Sequence, residues 1–341
     1  MAIEIIATGR AVPPRRVTND ELATRLDTSD EWIRSHTGIG NRHIAEDSVA
    51  TSDLAYEAAR AALSDIAERE RISIDEAALS LDLIVTATAT PDYFGFPSTS
   101  CILQDKLGAV KAAAMDVTAG CTGFIYALET AAGMLTVSSG RRRALVIGAE
   151  ILTRITDWTD RGSCVLFGDG AGAAVVEKTA APVAGAGKRG LLRSILGADG
   201  SGGEYLIMRR GGTRNPYKAG ETVDQPPHIE MNGRAVYNFA VKAVTDTIEG
   251  LLAQEGIDLN AVARIVPHQA NARIVQAAGK RLGIPEEKFY LNIEEYANTS
   301  AASVPIALDE LNRAGGLKKG DLIMTLGFGA GLTYGGNLIV W

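Results

Sequence analysis

Three polar side chains of this 341-residue chain stand where apolar runs give way to helical stretches, and their chemistry suits acyl transfer. The first is Cys121, in the segment DVTAGCTGF. An apolar run ends at Val117, small residues surround the thiol, and a helix is expected from Ile125 to Leu135. A thiol at a helix N-terminus with a histidine nearby is expected to ionise below the ordinary pKa of about 8.5. Small neighbours let a substrate carbonyl approach, and backbone amides at such a turn can receive an oxyanion. Taken alone, the segment favours an inert packing cysteine, the commoner fate of a lone cysteine. Cys101, in SCILQDKLG, and Cys164, in GSCVLFGDG, read as packing residues.

The second is His268, in VPHQAN, just beyond an apolar strand; its placement suits acid–base or hydrogen-bonding work. The third is Asn298, in YANTSAAS, which taken alone reads more readily as a helix cap than as a catalytic residue. A glycine-rich turn, GFGAGLTYGG, lacks the lysine of a phosphate-binding loop. It offers backbone N–H groups to an oxyanion, or simply closes a hairpin.

These residues need elements to position them. Apolar, β-branched runs alternate with alanine-rich helical stretches, which argues for parallel sheets covered by helices. Strands are expected at Ile3–Thr8, Leu81–Thr88, Ala112–Val117, Ala144–Ala149 and Ala171–Glu177. In the second half they are expected at Arg264–Val266, Phe289–Asn292, Asp321–Leu326 and Gly336–Val340. Helices fit Asp53–Glu68 (with Ser52 as its cap), Ser98–Leu107, Gly233–Glu255, Ala270–Leu282 and Ser300–Ala314. The two halves correspond: Leu81–Thr88 to Ala263–His268, Met115–Gly123 to Leu291–Ala301, Ala144–Glu150 to Asp321–Gly327, and Ala171–Lys178 to Leu332–Trp341. This reads as one duplicated α/β unit, residues 1–180 carrying the cysteine and 181–341 the histidine and asparagine. Functional groups in such sheets gather where strands end, so two halves packed together can unite all three. Gly197–Pro227, rich in Gly, Pro and Arg, reads as a surface loop or a substrate-facing segment.

Composition narrows the class. A net charge of −7 gives no global basic field for nucleic acid. No apolar run is long enough to span a membrane. Three widely spaced cysteines fit neither a disulfide framework nor a zinc site. The expected compartment is the reducing cytoplasm.

Taken together, the segments TSDEWIRSHTGIGNRHIA, FPSTSCILQDKLG, DVTAGCTGF, TDRGSCVLFGDGAGAAV, VPHQAN, NTSAASVPIALDE and GFGAGLTYG resemble, in order, the β-ketoacyl-acyl-carrier-protein synthase III family of the thiolase-like superfamily. The resemblance implies an α/β, five-layered αβαβα fold and a homodimer. It implies a triad of Cys121, His268 and Asn298, with the amides of Cys121 and Ala330 as the oxyanion hole. The implied reaction moves a short acyl group from acyl-CoA to Cys121 and condenses it with malonyl-acyl carrier protein, without metal or organic cofactor. The resemblance further places Trp32 against the CoA adenine with Arg161 as its cationic partner, and Thr28 and Asn271 along the tunnel. His36 stands where many members carry an arginine, and a neutral histidine weakens that grip. Phe96 matches a residue closing the acyl pocket across the dimer in short-primer members. Arg273, Lys280 and Arg281 match the patch that docks the acidic carrier. A same-fold enzyme of secondary metabolism, a cysteine hydrolase or thioesterase, and a non-catalytic scaffold are the competing readings; Asn298 favours decarboxylative condensation over simple acyl transfer.

Overall fold

The structure, a computed structural model, describes residues 1–180, 187–223 and 227–341. The first half builds a five-stranded sheet from β1 (Ala2–Ala11), β2 (Leu83–Ala87), β3 (Ala113–Val117), β4 (Arg143–Ile151) and β5 (Asp169–Thr179), ordered β1-β5-β4-β2-β3. The second half builds a four-stranded sheet from β6 (Gly190–Ala198), β7 (Val262–Pro267), β8 (Leu322–Gly329) and β9 (Thr333–Val340), ordered β6-β9-β8-β7. Pairing senses match position by position. β2 runs parallel to β4 as β7 does to β8, and β5 is antiparallel to β1 and β4 as β9 is to β6 and β8.

Helices fill the spaces on both sides. Between the sheets lie α4 (Gly123–Val137) and α7 (Ser303–Arg313). Phe124, Leu128 and Leu135 of α4 and Val304, Leu308 and Leu311 of α7 join Val85 and Val146 of the first sheet and Ile323 and Ile339 of the second in one core. A helix covered from two sides must be apolar nearly all round, which GFIYALETAAGMLTV satisfies. Outside the first sheet pack α2 (Thr51–Glu70) and α3 (Thr99–Lys106), while α5 (Gly233–Glu255) and α6 (Ala272–Leu282) pack outside the second. The layers therefore read αβαβα, as the resemblance implies. One short helix, α1 (Asp30–Thr37), lies apart from these layers and bears on the site. Among the described residues no helix is long and apolar enough to cross a membrane.

Several expectations need correcting. Phe289–Asn292 is not a strand: it makes a single bridge to Ile265, and Tyr290 N–H donates to the Ile265 carbonyl at 2.9 Å. It occupies the place of the first sheet's fifth strand, β3, but turns away after one rung. Conversely, Gly190–Ala198 is a full edge strand, equivalent to β1, that its glycines and arginine concealed. The cap of α2 is Ala50, whose N–H donates to the Asp53 carboxylate at 2.8 Å, rather than Ser52. Cys101 is exposed and not a packing residue, whereas Cys164 is buried. The Gly197–Pro227 stretch is largely built: a 3₁₀ turn at Gly200–Tyr205 leads into Leu206–Ile207, which pairs with Glu230–Met231. Two of its arginines are paired, Arg209 with Glu204 and Glu230 at 2.8 Å each and Arg210 with Glu221 at 2.5 Å. Residues 224–226 of that stretch, and the expected boundary just after residue 180, lie outside the described residues.

Candidate active site

Cys121 and His268 lie just beyond strand ends, whereas Asn298 follows a short helix, Ile293–Tyr296. Cys121 lies in a 3₁₀ turn, Gly120–Thr122, between β3 and α4. His268 follows β7 directly and its N–H donates to the Leu326 carbonyl at 2.7 Å. Asn298 is tied to the first half by its own N–H, which donates to the Leu166 carbonyl at 2.9 Å, and by its carbonyl, which receives the Gly168 N–H. All three line one cavity of about 240 Å³, together with Trp32, His36, Asn271, Phe328 and Gly329. Buried His268 and exposed His36 belong to the same wall, so the cavity runs from the surface to the thiol.

The turn after β8 fits against Cys121 at close quarters. A Cβ at Gly329 would lie 2.7 Å from the Cys121 Cβ and 3.0 Å from its sulfur, so only glycine lets the Ala330 amide reach the site. Ala330 follows Gly329 directly, so its backbone stands beside the turn that carries Cys121.

Hydrogen bonds around the other two residues set which atoms face the cavity. His268 Nδ1 lies 2.6 Å from Ser303 Oγ, which also receives the Gln269 N–H at 3.3 Å. Among the described residues Ser303 Oγ makes no further hydrogen bond, so its proton is assigned to Nδ1 and the ring proton to Nε2. The ring edge meets the Phe328 ring at 5.2 Å and 64°. Asn298 Oδ1 accepts the Ser300 N–H at 2.9 Å. Its oxygen is thereby occupied, and its NH₂ is the group left to offer. Asn298 thus caps the following turn and presents a donor at once, so both readings of the sequence hold together.

Electrostatics correct one expectation. Burial pushes the Cys121 thiol up to about 11, despite the turn at the start of α4 and the nearby histidine. Burial also pushes His268 down to about 3. Resting thiol and imidazole are therefore both neutral, with no thiolate–imidazolium pair. This has a consequence for stability. The unfolded histidine takes up a proton below about 6.5, while the folded one resists until about 3. His268 thus contributes stability that is full above the unfolded value and is lost as pH falls towards the folded one. Thermal midpoints should decline over that acidic window, and His268→Asn should flatten the decline; an unchanged slope would show that the ring is solvated.

Other predicted residues are placed less uniformly. Trp32 stacks on His36 at 4.4 Å, and the Arg161 guanidinium lies 5.0 Å from the Trp32 ring centre. Arg161 also donates to the Asp27 carbonyl at 2.6 Å. Asn271 caps α6 through its side-chain oxygen and donates to the His36 carbonyl at 3.1 Å, joining α6 to α1. Thr28 is not among the residues lining the cavity, and its hydroxyl is buried without a partner. Phe96 is 89% exposed and lies outside its own chain's cavity, beside exposed Tyr93 and Phe94. Arg273, Lys280 and Arg281 are exposed on α6.

Sequence reasoning missed four residues of the site. Ser300 and Ser303 were in view within NTSAAS but read only as helix-start residues. Phe328 was hidden in a glycine-rich turn. Glu150 carried a visible signal, a lone carboxylate in the apolar run ALVIGAEIL, where ionisable groups are rarely buried without a purpose.

Two sheets of one topology enclosing two helices, with a cysteine supplied by one half and a histidine and asparagine by the other, define a thiolase-like condensing enzyme. Profiles of the 3-oxoacyl-[acyl-carrier-protein] synthase III family match residues 115–200 and, for its C-terminal part, 252–341. The chain is 48% identical to the β-ketoacyl-[acyl-carrier-protein] synthase III of Caldanaerobacter subterraneus, covering 100% of this chain and 98% of that one. It superimposes on the crystal structure of 3-oxoacyl-[acyl-carrier-protein] synthase III from Aquifex aeolicus with a TM-score of 0.87 at 39% identity, covering all of both chains. The priming β-ketosynthase of the R1128 polyketide pathway is similar too, with a TM-score of 0.86 at 34% identity over 99% of this chain and 96% of that one. The chain belongs to the β-ketoacyl-acyl-carrier-protein synthase III family, whose members are acyl-transferring condensing enzymes.

Proposed function

We propose that Cys121, His268 and Asn298 carry a decarboxylative Claisen condensation in which a short acyl-CoA primer and malonyl-acyl carrier protein give 3-oxoacyl-acyl carrier protein, the opening step of fatty acid synthesis. Cys121 sulfur attacks the primer thioester, the amides of Cys121 and Ala330 receive the oxyanion, and CoA leaves. Malonyl-carrier follows. His268 Nε2–H and the Asn298 NH₂ donate to its thioester carbonyl as CO₂ departs, and the carbanion attacks the acyl-cysteine. Loss of the carboxylate creates the nucleophile, so the scheme calls on no metal or organic cofactor. The observation that carries this reading is the pair of donors beside the thiol: a neutral imidazole with its proton on Nε2, and a carboxamide whose oxygen is already engaged.

The remaining roles follow the same reading. Trp32 and Arg161 take the adenine between them, which requires Arg161 to swing off the ring it now touches. His36, stacked on Trp32, widens that aromatic face instead of gripping phosphate. Asn271 borders the tunnel, and Thr28, which does not line the cavity, is left without a role there. Exposed Phe96 closes the acyl pocket of a partner subunit in a homodimer. Residues 1–180 and 181–341 are the two halves of the unit, and a reducing cytoplasm keeps the thiol free. Arg273, Lys280 and Arg281 receive the acidic carrier protein. Arg273→Glu should therefore raise KM for malonyl-carrier about tenfold or more, with acyl transfer from acyl-CoA unchanged; equal loss of both would remove the docking assignment. The similarity to a polyketide priming enzyme supports a second reading, a starter role in secondary metabolism. Product analysis with acyl-CoA and malonyl-carrier tests the main one: 3-oxoacyl-carrier and CO₂ in equal amounts support it, and transfer without CO₂ excludes it.

A further inference from the structure

Decarboxylation needs two donors on one oxygen, and a neutral imidazole donates from only one of its ring nitrogens. Which nitrogen carries the proton is set by the hydrogen bond that the other makes. For His268 that other partner is a serine.

His268 is buried, its main-chain N–H is fixed on the Leu326 carbonyl, and its Nδ1 lies 2.6 Å from Ser303 Oγ. Ser303 is buried too and opens α7, whose Val304 and Leu308 are set in the central core. The same Oγ receives the Gln269 N–H at 3.3 Å. Gln269 is itself pinned: its side chain donates to the Pro267 carbonyl at 2.7 Å and the Tyr290 carbonyl at 3.2 Å, and accepts the Asn292 N–H at 3.1 Å. A hydroxyl has one proton to give and two lone pairs to receive with. With the ring proton on Nε2, Oγ receives Gln269 and gives its own proton to Nδ1. With the ring proton on Nδ1, Oγ receives two N–H groups, and its own proton finds no acceptor among the described residues. A buried donor left unmade is the costlier arrangement. Nε2 makes no hydrogen bond among the described residues and is the nitrogen left for the cavity that His268 lines. Asn298 begins the stretch that ends at Ser303, and its Oδ1 is held by the Ser300 N–H at 2.9 Å.

We propose that Ser303 is a positioning residue of the decarboxylation: its hydroxyl holds His268 as an Nε2–H donor, from the same stretch, residues 298–303, that leaves the Asn298 NH₂ free for substrate. One piece of chain thereby prepares both donors for one thioester oxygen, where charge builds as CO₂ leaves. With the proton on Nδ1 instead, Nε2 would turn a lone pair on that oxygen and oppose the charge. Acylation of Cys121 makes no use of the Nε2 proton, so Ser303 bears on one half-reaction only. It is not among the residues lining the cavity and works through the ring. The inference rests on His268 being a donor to the malonyl thioester, so the tautomer is measured apart from activity.

Two-bond ¹H–¹⁵N correlation spectra of the full chain, with its histidine rings labelled, read the tautomer. The chain has four histidines, and the signals lost in His268→Asn identify the one in question. Wild type should show the Nε2–H pattern at neutral pH, and Ser303→Ala should shift it towards Nδ1–H. CO₂ release from malonyl-thioester should fall by about ten- to a hundredfold in Ser303→Ala, with CoA release on acylation within a few-fold of wild type. Ser303→Thr, which keeps the hydroxyl, should recover most of that loss, and adding Ser303→Ala to His268→Ala should cost nothing more. Any of four results would overturn the assignment: an Nδ1–H pattern in wild type, an unchanged pattern in Ser303→Ala, wild-type decarboxylation in that variant, or both half-reactions falling together with the melting temperature. Normal CO₂ release in His268→Ala would instead strike at the underlying donor role, whatever tautomer the spectra show.

Discussion

Cys121→Ser is expected to leave the protein folded and to abolish its covalent acyl adduct, with condensation lowered by at least about a thousandfold. The exchange keeps volume and hydrogen bonding almost intact, so the loss isolates nucleophilicity. In a hydrolase-type triad an imidazole base rescues a serine. Here the imidazole donates from Nε2, receives Ser303 at Nδ1 and is pushed down to about 3, so it has no capacity to take a serine proton. Intact-mass measurement after exposure to acyl-CoA checks the first part and product formation the second. A serine variant that still accumulates an acyl-enzyme would show that a base acts on residue 121 more strongly than this geometry permits.

His268→Ala and Asn298→Ala are expected to separate the half-reactions. Each removes one of two donors aimed at the malonyl thioester carbonyl. Losing one such donor costs on the order of 10²–10³ in rate. Decarboxylation should fall by that amount in each variant, while acylation of Cys121, which uses the amides of Cys121 and Ala330, continues. The prediction differs from that of a general-base histidine, whose loss would stop acylation first. Rapid-mixing assays of CoA release and CO₂ release on each variant read the two steps directly. Normal condensation in either variant would contradict the donor roles.

The sequence made the architecture and the reacting residues legible for identifiable reasons. Strands buried on both faces, such as LIVTA of β2 and RALVIGAEI of β4, are continuous apolar runs. Helix α5 was bounded by Gly233 and Glu255 as expected, because Asn232 caps it and Gly256 stops it. The duplication was visible strand by strand except where one half departs from the other. β6 escaped because an edge strand is half exposed and tolerates Gly, Arg and Ser. Phe289–Asn292 looked like a strand because its apolar residues are needed for packing, as Phe289 is buried against α6, while the backbone pairs only once. At the site, side-chain types and strand-end positions picked out Cys121, His268 and Asn298. Protonation states were not legible, since they depend on burial and on partners distant in sequence. Thr90 donates to Glu150 across 60 residues, and Ser303 reaches back 35 residues to His268.

The central claim is that one thiol accepts the acyl group and two neutral donors govern its discharge. Peptide-level mass spectrometry of the wild-type protein, first with acyl-CoA and then with malonyl-carrier, tests it most directly. The account predicts one acyl group, on Cys121 alone, that survives in buffer and leaves only when malonyl-carrier arrives, appearing as 3-oxoacyl-carrier with one CO₂. An acyl group found on exposed Cys101, or one that water removes without malonyl-carrier, would contradict it.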